Sequence, residues 1–76
     1  MLYHGRIEID PTVCSGKPFI RGTRILVTSI LSRLAAGDSF GAVRKDFPGL
    51  ADDDVKAAIE FAKESVEATG LSGLRD

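Results

Sequence analysis

Between Arg6 and Asp10 polar and apolar residues alternate, and Pro11 ends the run. A period of two predicts a short half-buried strand with Ile7 and Ile9 inward. Ser15-Gly16 marks a turn. Phe19 to Ile25 reads as extended, with a kink or bulge at Gly22. From there the apolar spacing becomes helical. A first helix is predicted over roughly Val27 to Ala36, with Thr28 as N-cap, Leu26, Ile30 and Leu34 on one face, and Gly37 as its stop. A second runs over roughly Ser39 to Phe47, capped by Asp38 or Ser39, with Phe40, Val43 and Phe47 inward and Pro48 at its end. A third runs over roughly Asp52 to Thr69, with a stripe of Val55, Ile59, Ala62 and Val66 and Ala58 alongside. Asp52, Asp53 and Asp54 suit the positive end of its dipole.

These elements predict a mainly α, trihelical unit with a short N-terminal β segment. Residues 6–26 form the β segment, 27–69 the three helices and 70–76 a loose tail, all in one domain spanning 1–76. The second and third helices, joined by Pro48-Gly49-Leu50, have helix-turn-helix spacing. A chain of 76 residues buries only about 60% of its unfolded surface, so its core is marginal alone. Two short strands are barely stable without a neighbour. A homodimer through the β segment and the helical core is therefore expected.

Chemistry enters with the minority residues. Cys14 is the single cysteine and His4 the single histidine. An internal disulfide and a cysteine-based zinc site are thereby excluded. Neither residue has a recognisable base or nucleophile partner in the sequence. His4 sits in a terminal stretch read as mobile. Ser15-Gly16-Lys17 is not a phosphate loop, because Pro11 and Pro18 stand where glycine and Ser or Thr are required. The aspartate run lacks calcium-loop spacing. The reading is non-enzymatic, without catalytic residues, cofactor or metal. One unpaired thiol and a start without a signal-peptide core point to a cytoplasmic protein.

The net charge of −1 hides an asymmetry. Residues 1–45 carry seven Lys or Arg against three Asp or Glu, and residues 46–76 carry three against eight. Either the halves meet different partners, or they attract each other. The densest basic stretch is Gly16-Lys17-Pro18-Phe19-Ile20-Arg21-Gly22-Thr23-Arg24-Ile25, where two glycines and a proline bend the chain around Lys17, Arg21 and Arg24. With Arg33, Arg44 and Lys45 these are the nucleic-acid-binding candidates. The competing reading gives Arg21 or Arg24 a carboxylate partner, Glu8 or Asp10, because the guanidinium fork suits both anions. Ordinary docking of a third helix into the major groove is disfavoured, since its three leading aspartates would meet phosphates.

The chain resembles domain-of-unknown-function family 433, small bacterial and archaeal proteins. The resemblance rests on Arg6-Ile7-Glu8-Ile9-Asp10-Pro11, the stretch Gly16 to Ile25, Leu34-Ala35-Ala36-Gly37, Phe47-Pro48-Gly49-Leu50 and the helix Asp54 to Ala62, and covers about the first 65 residues. Ala51 stands where the family usually places a capping Ser or Thr, with Asp52 as the expected substitute. The resemblance implies a fold similar to homeodomain-like helix-turn-helix proteins. Several members are regarded as antitoxins paired with a PIN-like ribonuclease, whose active-site carboxylates hold a metal and whose surface is basic for RNA.

The resulting functional expectation is an antitoxin that binds and restrains such a ribonuclease and also contacts DNA. Its partner-binding candidates are Asp53, Glu60 and Glu64. The bland reading of these acids is intrahelical pairing, Glu60 with Lys56 or Glu67 with Lys63. The alternatives are a stand-alone DNA-binding regulator and a structural dimeric module. Gly22 is expected in a backbone conformation closed to β-branched residues, or at a close backbone approach beside Arg21. Gly22→Val therefore costs more than about 2 kcal/mol. Thermal unfolding checks this, and an unchanged melting temperature contradicts it.

Overall fold

The computed structural model of the chain describes residues 1–69. The predicted tail over 70–76, with Gly70 as a helix stop, lies outside the described residues.

Three two-residue strands open the chain: β1 (Leu2–Tyr3), β2 (Ile7–Glu8) and β3 (Phe19–Ile20). They form one antiparallel sheet in the order β1-β2-β3, with Tyr3 opposite Ile7 and Ile7 opposite Ile20. The β1–β2 hairpin turns at His4-Gly5, where both residues have positive φ, 55° and 68°. The Arg6 N–H donates to the Tyr3 carbonyl at 3.0 Å. Two consecutive positive φ values define the type I′ turn, whose twist matches that of the strands it joins. His4 is therefore held in a hairpin, against the mobile terminus expected. The sheet also gains a strand where two were expected, so the β segment has its neighbour within the chain.

The helices are α1 (Val27–Ala35), α2 (Phe40–Asp46) and α3 (Asp52–Ala68). Thr28 is not the cap of α1. Leu26 holds that position without a side-chain bond. The α1 stop follows expectation: Gly37 takes φ 95°, its N–H donates to the Leu34 carbonyl and that of Asp38 to the Arg33 carbonyl. Those two bonds satisfy carbonyls the helix would otherwise leave open. Ser39 caps α2 by accepting from the Ala42 N–H at 3.1 Å.

The core draws on both layers. Ile7 and Ile20 from the sheet pack with Val27, Ile30, Val43, Leu50, Val55, Ala57 and Ala58, and Ile7, Ile30, Val43, Val55 and Ala58 are fully enclosed. Tyr3 and Phe61 meet edge to face, ring centres 5.1 Å apart. The trihelical, homeodomain-like expectation is thereby corrected. The β segment sends Ile7 and Ile20 into the shared core rather than standing as an appendage, and the fold is a small α+β unit. The α3 stripe is corrected too. Its inward face is Asp54, Val55, Ala57 and Ala58, whereas Ile59 is 41% and Val66 50% exposed. The sheet approaches α3 from the Asp54 and Phe61 side and rotates the buried face away from Ile59.

Because Ile7 is fully enclosed against all three helices' core, Ile7→Ala lowers stability by about 2–5 kcal/mol. Urea unfolding measures it. A loss below about 0.5 kcal/mol would return the β segment to a peripheral role.

Candidate functional site

Asp54 is the buried charged residue of the described chain, 7% exposed. One carboxylate oxygen accepts from the Ala51 N–H at 2.9 Å and the other from Arg6 Nη1 at 2.9 Å. Alanine at the N-cap has no acceptor, so the cap runs backwards: the third residue of α3 reaches back to the cap's own N–H, which is half of a capping box. Asp54, rather than Asp52, makes good the missing Ser or Thr. Arg6 also reaches Asp53 at 3.5 Å. The Asp54 hydrogen bond, with the charges of Asp54 and Asp53, holds the Arg6 guanidinium above its ordinary value against the opposing effect of burial.

These residues wall an open pocket of about 450 Å³ lined by His4, Gly5, Arg6, Arg21 and Asp54. The His4 ring lies 2.9 Å from Glu64 of α3, closing one side. The Arg21 N–H donates to the Arg6 carbonyl at 2.8 Å, which sets the start of the basic loop against the hairpin. After β3 the chain does not stay extended. It turns at Ile20–Thr23, with the Thr23 N–H on the Ile20 carbonyl at 3.0 Å and Gly22 at φ 80°. Positive φ at the third position alone is the type II turn, for which glycine is suited. A Cβ on Gly22 would meet nothing within 4 Å, so the constraint is backbone conformation and not close approach. Thr23 locks the turn twice, Oγ1 donating to the Ile20 carbonyl and accepting from the Ile25 N–H. Cys14 Sγ lies 3.9 Å from the Arg24 carbonyl, beneath the same loop.

Of the basic candidates, Arg33 and Arg44 are already engaged. Arg33 pairs with Asp38 and, at 2.7 Å, with Asp46, and its guanidinium lies 5.9 Å from the centre of the Phe47 ring. The hydrogen bonds to Asp38 and then Asp46 hold it above its ordinary value. Arg44 pairs with Asp52 at 2.6 Å. Lys17, Arg21, Arg24 and Lys45 are exposed and have no ion-pair partner among the described residues, Glu8 and Asp10 included. The acidic candidates are spread along α3: Asp53 on Arg6, Glu64 on His4, and Glu60 on Lys63 at 3.6 Å, an i,i+3 contact in place of the i,i+4 pairs expected. Of the expected candidates the pocket lining takes only Arg21; Asp53 and Glu64 connect to it through their contacts with Arg6 and His4, and Glu60 and Lys17 lie outside. Sequence reasoning missed His4, Arg6 and Asp54. The three-residue spacing from Ala51 to Asp54 was the available signal for the last.

A family model described as "Protein of unknown function (DUF433)" matches residues 7–62. The chain belongs to the DUF433 family. Lys17, Arg21, Arg24 and Asp54 of this DUF433 chain fall inside the matched span, whereas His4 and Arg6 precede it. The fold is similar to the crystal structure of a DUF433 member from Anabaena variabilis, with a TM-score of 0.77 and 31% identity over 86% of this chain. The chain spans 64% of that protein. No curated protein matches it. Among the described residues no helix is long and apolar enough to cross a membrane.

The pairings separate structural from available arginines. Arg33→Ala lowers the melting temperature, whereas Arg21→Ala and Arg24→Ala leave stability within about 0.5 kcal/mol of the parent. Thermal and urea unfolding of the three variants check this.

Proposed function

We propose that this DUF433 protein is a binding protein of the antitoxin type, which restrains a PIN-like ribonuclease and contacts DNA through its basic loop. The observation that carries the reading is the contrast within the arginines. Arg6, Arg33 and Arg44 are neutralised by the chain's own carboxylates, while Lys17 stands exposed before β3 and Arg21 and Arg24 stand exposed after it, on a turn whose backbone is locked by Gly22 and Thr23. A preset backbone lowers the ordering cost of a contact, and guanidinium forks suit phosphate. Direct entry of the α3 N-terminus into a groove has no support, because Asp52 and Asp53 face outward there. For the ribonuclease, support comes from family membership and from the acidic side of α3. Asp53, Glu60, Glu64 and Glu67 fall within roughly 60° of one another around the helix, and that side suits the basic RNA surface of such an enzyme.

Two measurements test the halves separately. In binding to promoter DNA, Arg21→Ala with Arg24→Ala reduces the slope of log K against log salt by about 2. An unchanged slope removes the DNA contact from this loop. In ribonuclease inhibition, combined Asp53→Ala, Glu60→Ala and Glu64→Ala keeps the helical spectrum and loses inhibition. Full inhibition by that variant moves the interface elsewhere. DNA binding without any ribonuclease binding would favour the stand-alone regulator, and neither activity would favour a structural module.

A further inference from the structure

Arg21, Gly22, Thr23 and Arg24 stand between two residues that face each other. The Ile20 N–H donates to the Ile25 carbonyl at 2.9 Å, Phe19 bridges to Leu26, and the Val27 N–H donates to the Pro18 carbonyl at 3.0 Å. The segment is therefore a short antiparallel hairpin whose four-residue loop carries both arginines. A regular rung would return the Ile25 N–H to the Ile20 carbonyl. Here that carbonyl accepts from the Thr23 N–H at 3.0 Å, and a side chain completes the rung. The Ile25 N–H donates to Thr23 Oγ1 at 2.9 Å, and Oγ1 donates to the Ile20 carbonyl at 2.8 Å. The hydroxyl is a relay in place of a missing backbone bond.

A Thr hydroxyl beside arginines ordinarily contacts phosphate oxygens itself. Thr23 is half-buried, and its proton and an accepting lone pair are committed to the backbone at 20 and 25. Arg21 and Arg24 beside it are exposed, with no ion-pair partner among the described residues. The Arg21 N–H is itself held by the Arg6 carbonyl at 2.8 Å. The loop is thus fixed at both shoulders, and its two guanidinium groups are left for an outside anion. Fixing their backbone in advance removes that ordering from the cost of a contact. We propose that Thr23 is a positioning residue: its relay holds Arg21 and Arg24 at one spacing for phosphates of a nucleic-acid backbone, and Thr23 does not itself touch the nucleic acid. This inference rests on the DNA contact proposed above and assigns its geometry to a residue outside that contact.

Promoter-DNA binding by Thr23→Val, Thr23→Ser and the double Arg21→Ala, Arg24→Ala variant, each followed across a salt series, tests it. Valine keeps the branching of threonine and removes the relay. Thr23→Val is expected to weaken binding about three- to tenfold with the salt slope unchanged, since both arginines remain. Thr23→Ser keeps the hydroxyl and binds as the parent does. Thr23→Ala, which removes the relay without adding a methyl in its place, matches Thr23→Val. Circular dichroism of all variants matches the parent, and the Ile25 amide exchanges faster with solvent in the valine and alanine variants alone. A salt slope that falls by about 1 in Thr23→Val overturns the proposal, because Thr23 is then itself a phosphate contact. Parent-like affinity of Thr23→Val and Thr23→Ala, beside a lowered slope in the double arginine variant, overturns the positioning role and leaves the DNA contact standing. An unchanged slope in the double arginine variant overturns the DNA contact and this inference with it.

Discussion

The contact between Arg6 and Asp54 governs the arrangement of the molecule. A carboxylate as enclosed as Asp54 is strongly destabilising unless its oxygens are all engaged. Here one oxygen completes the α3 N-terminus at Ala51 and the other takes the guanidinium of Arg6, which leads from the hairpin turn into β2. The first bond orders the start of the longest helix. The second fixes where the sheet sits on it. Tyr3 against Phe61 and His4 against Glu64 extend the same seam along the helix. Ile7 is thereby delivered into the core, and Arg21, bonded through its N–H to the Arg6 carbonyl, is set at the rim of the pocket.

The charge asymmetry between the halves resolves largely inside the molecule. Four first-half residues, His4, Arg6, Arg33 and Arg44, pair with Glu64, Asp53 and Asp54, Asp46, and Asp52 of the second half. Each exposed pair contributes little alone, but together they join the sheet, α1 and α2 to one another and to α3. What remains after this pairing is informative. Exposed cations without an ion-pair partner among the described residues flank β3, Lys17 before it and Arg21 and Arg24 after it, and α3 keeps Ile59 and Val66 exposed. Internal neutralisation thus separates residues that hold the fold from residues left free to meet a partner.

The helices were legible because their signals are local. Ser39, Gly37 and Pro48 act within a few residues, and Ile30 and Val43 bury at the centre of their stripes, although Leu26, Leu34, Phe40 and Phe47 are only half-buried and Val27 is buried in addition. Gly22 was legible for the same reason, since a type II turn is a four-residue event. The sheet was not. Leu2–Tyr3 is too short to show a period, and its pairing depends on a His-Gly turn in place of the common Asn-Gly. Nor was the buried face of α3, because which side of a long helix is covered depends on where a distant strand lands. The same long-range contact hid the site: Arg6 and Asp54 are 48 residues apart in sequence, and Ala51 removed the capping signature that would have drawn attention to Asp54.

A double-mutant cycle on Arg6 and Asp54, read by urea unfolding, tests this account most directly. Arg6→Ala and Asp54→Ala are each destabilising, and because both remove one shared contact, the double variant is expected to lose clearly less stability than the two single losses combined. Strict additivity of the two substitutions would contradict it, and would mean that the sheet and α3 are held together by something other than this pair.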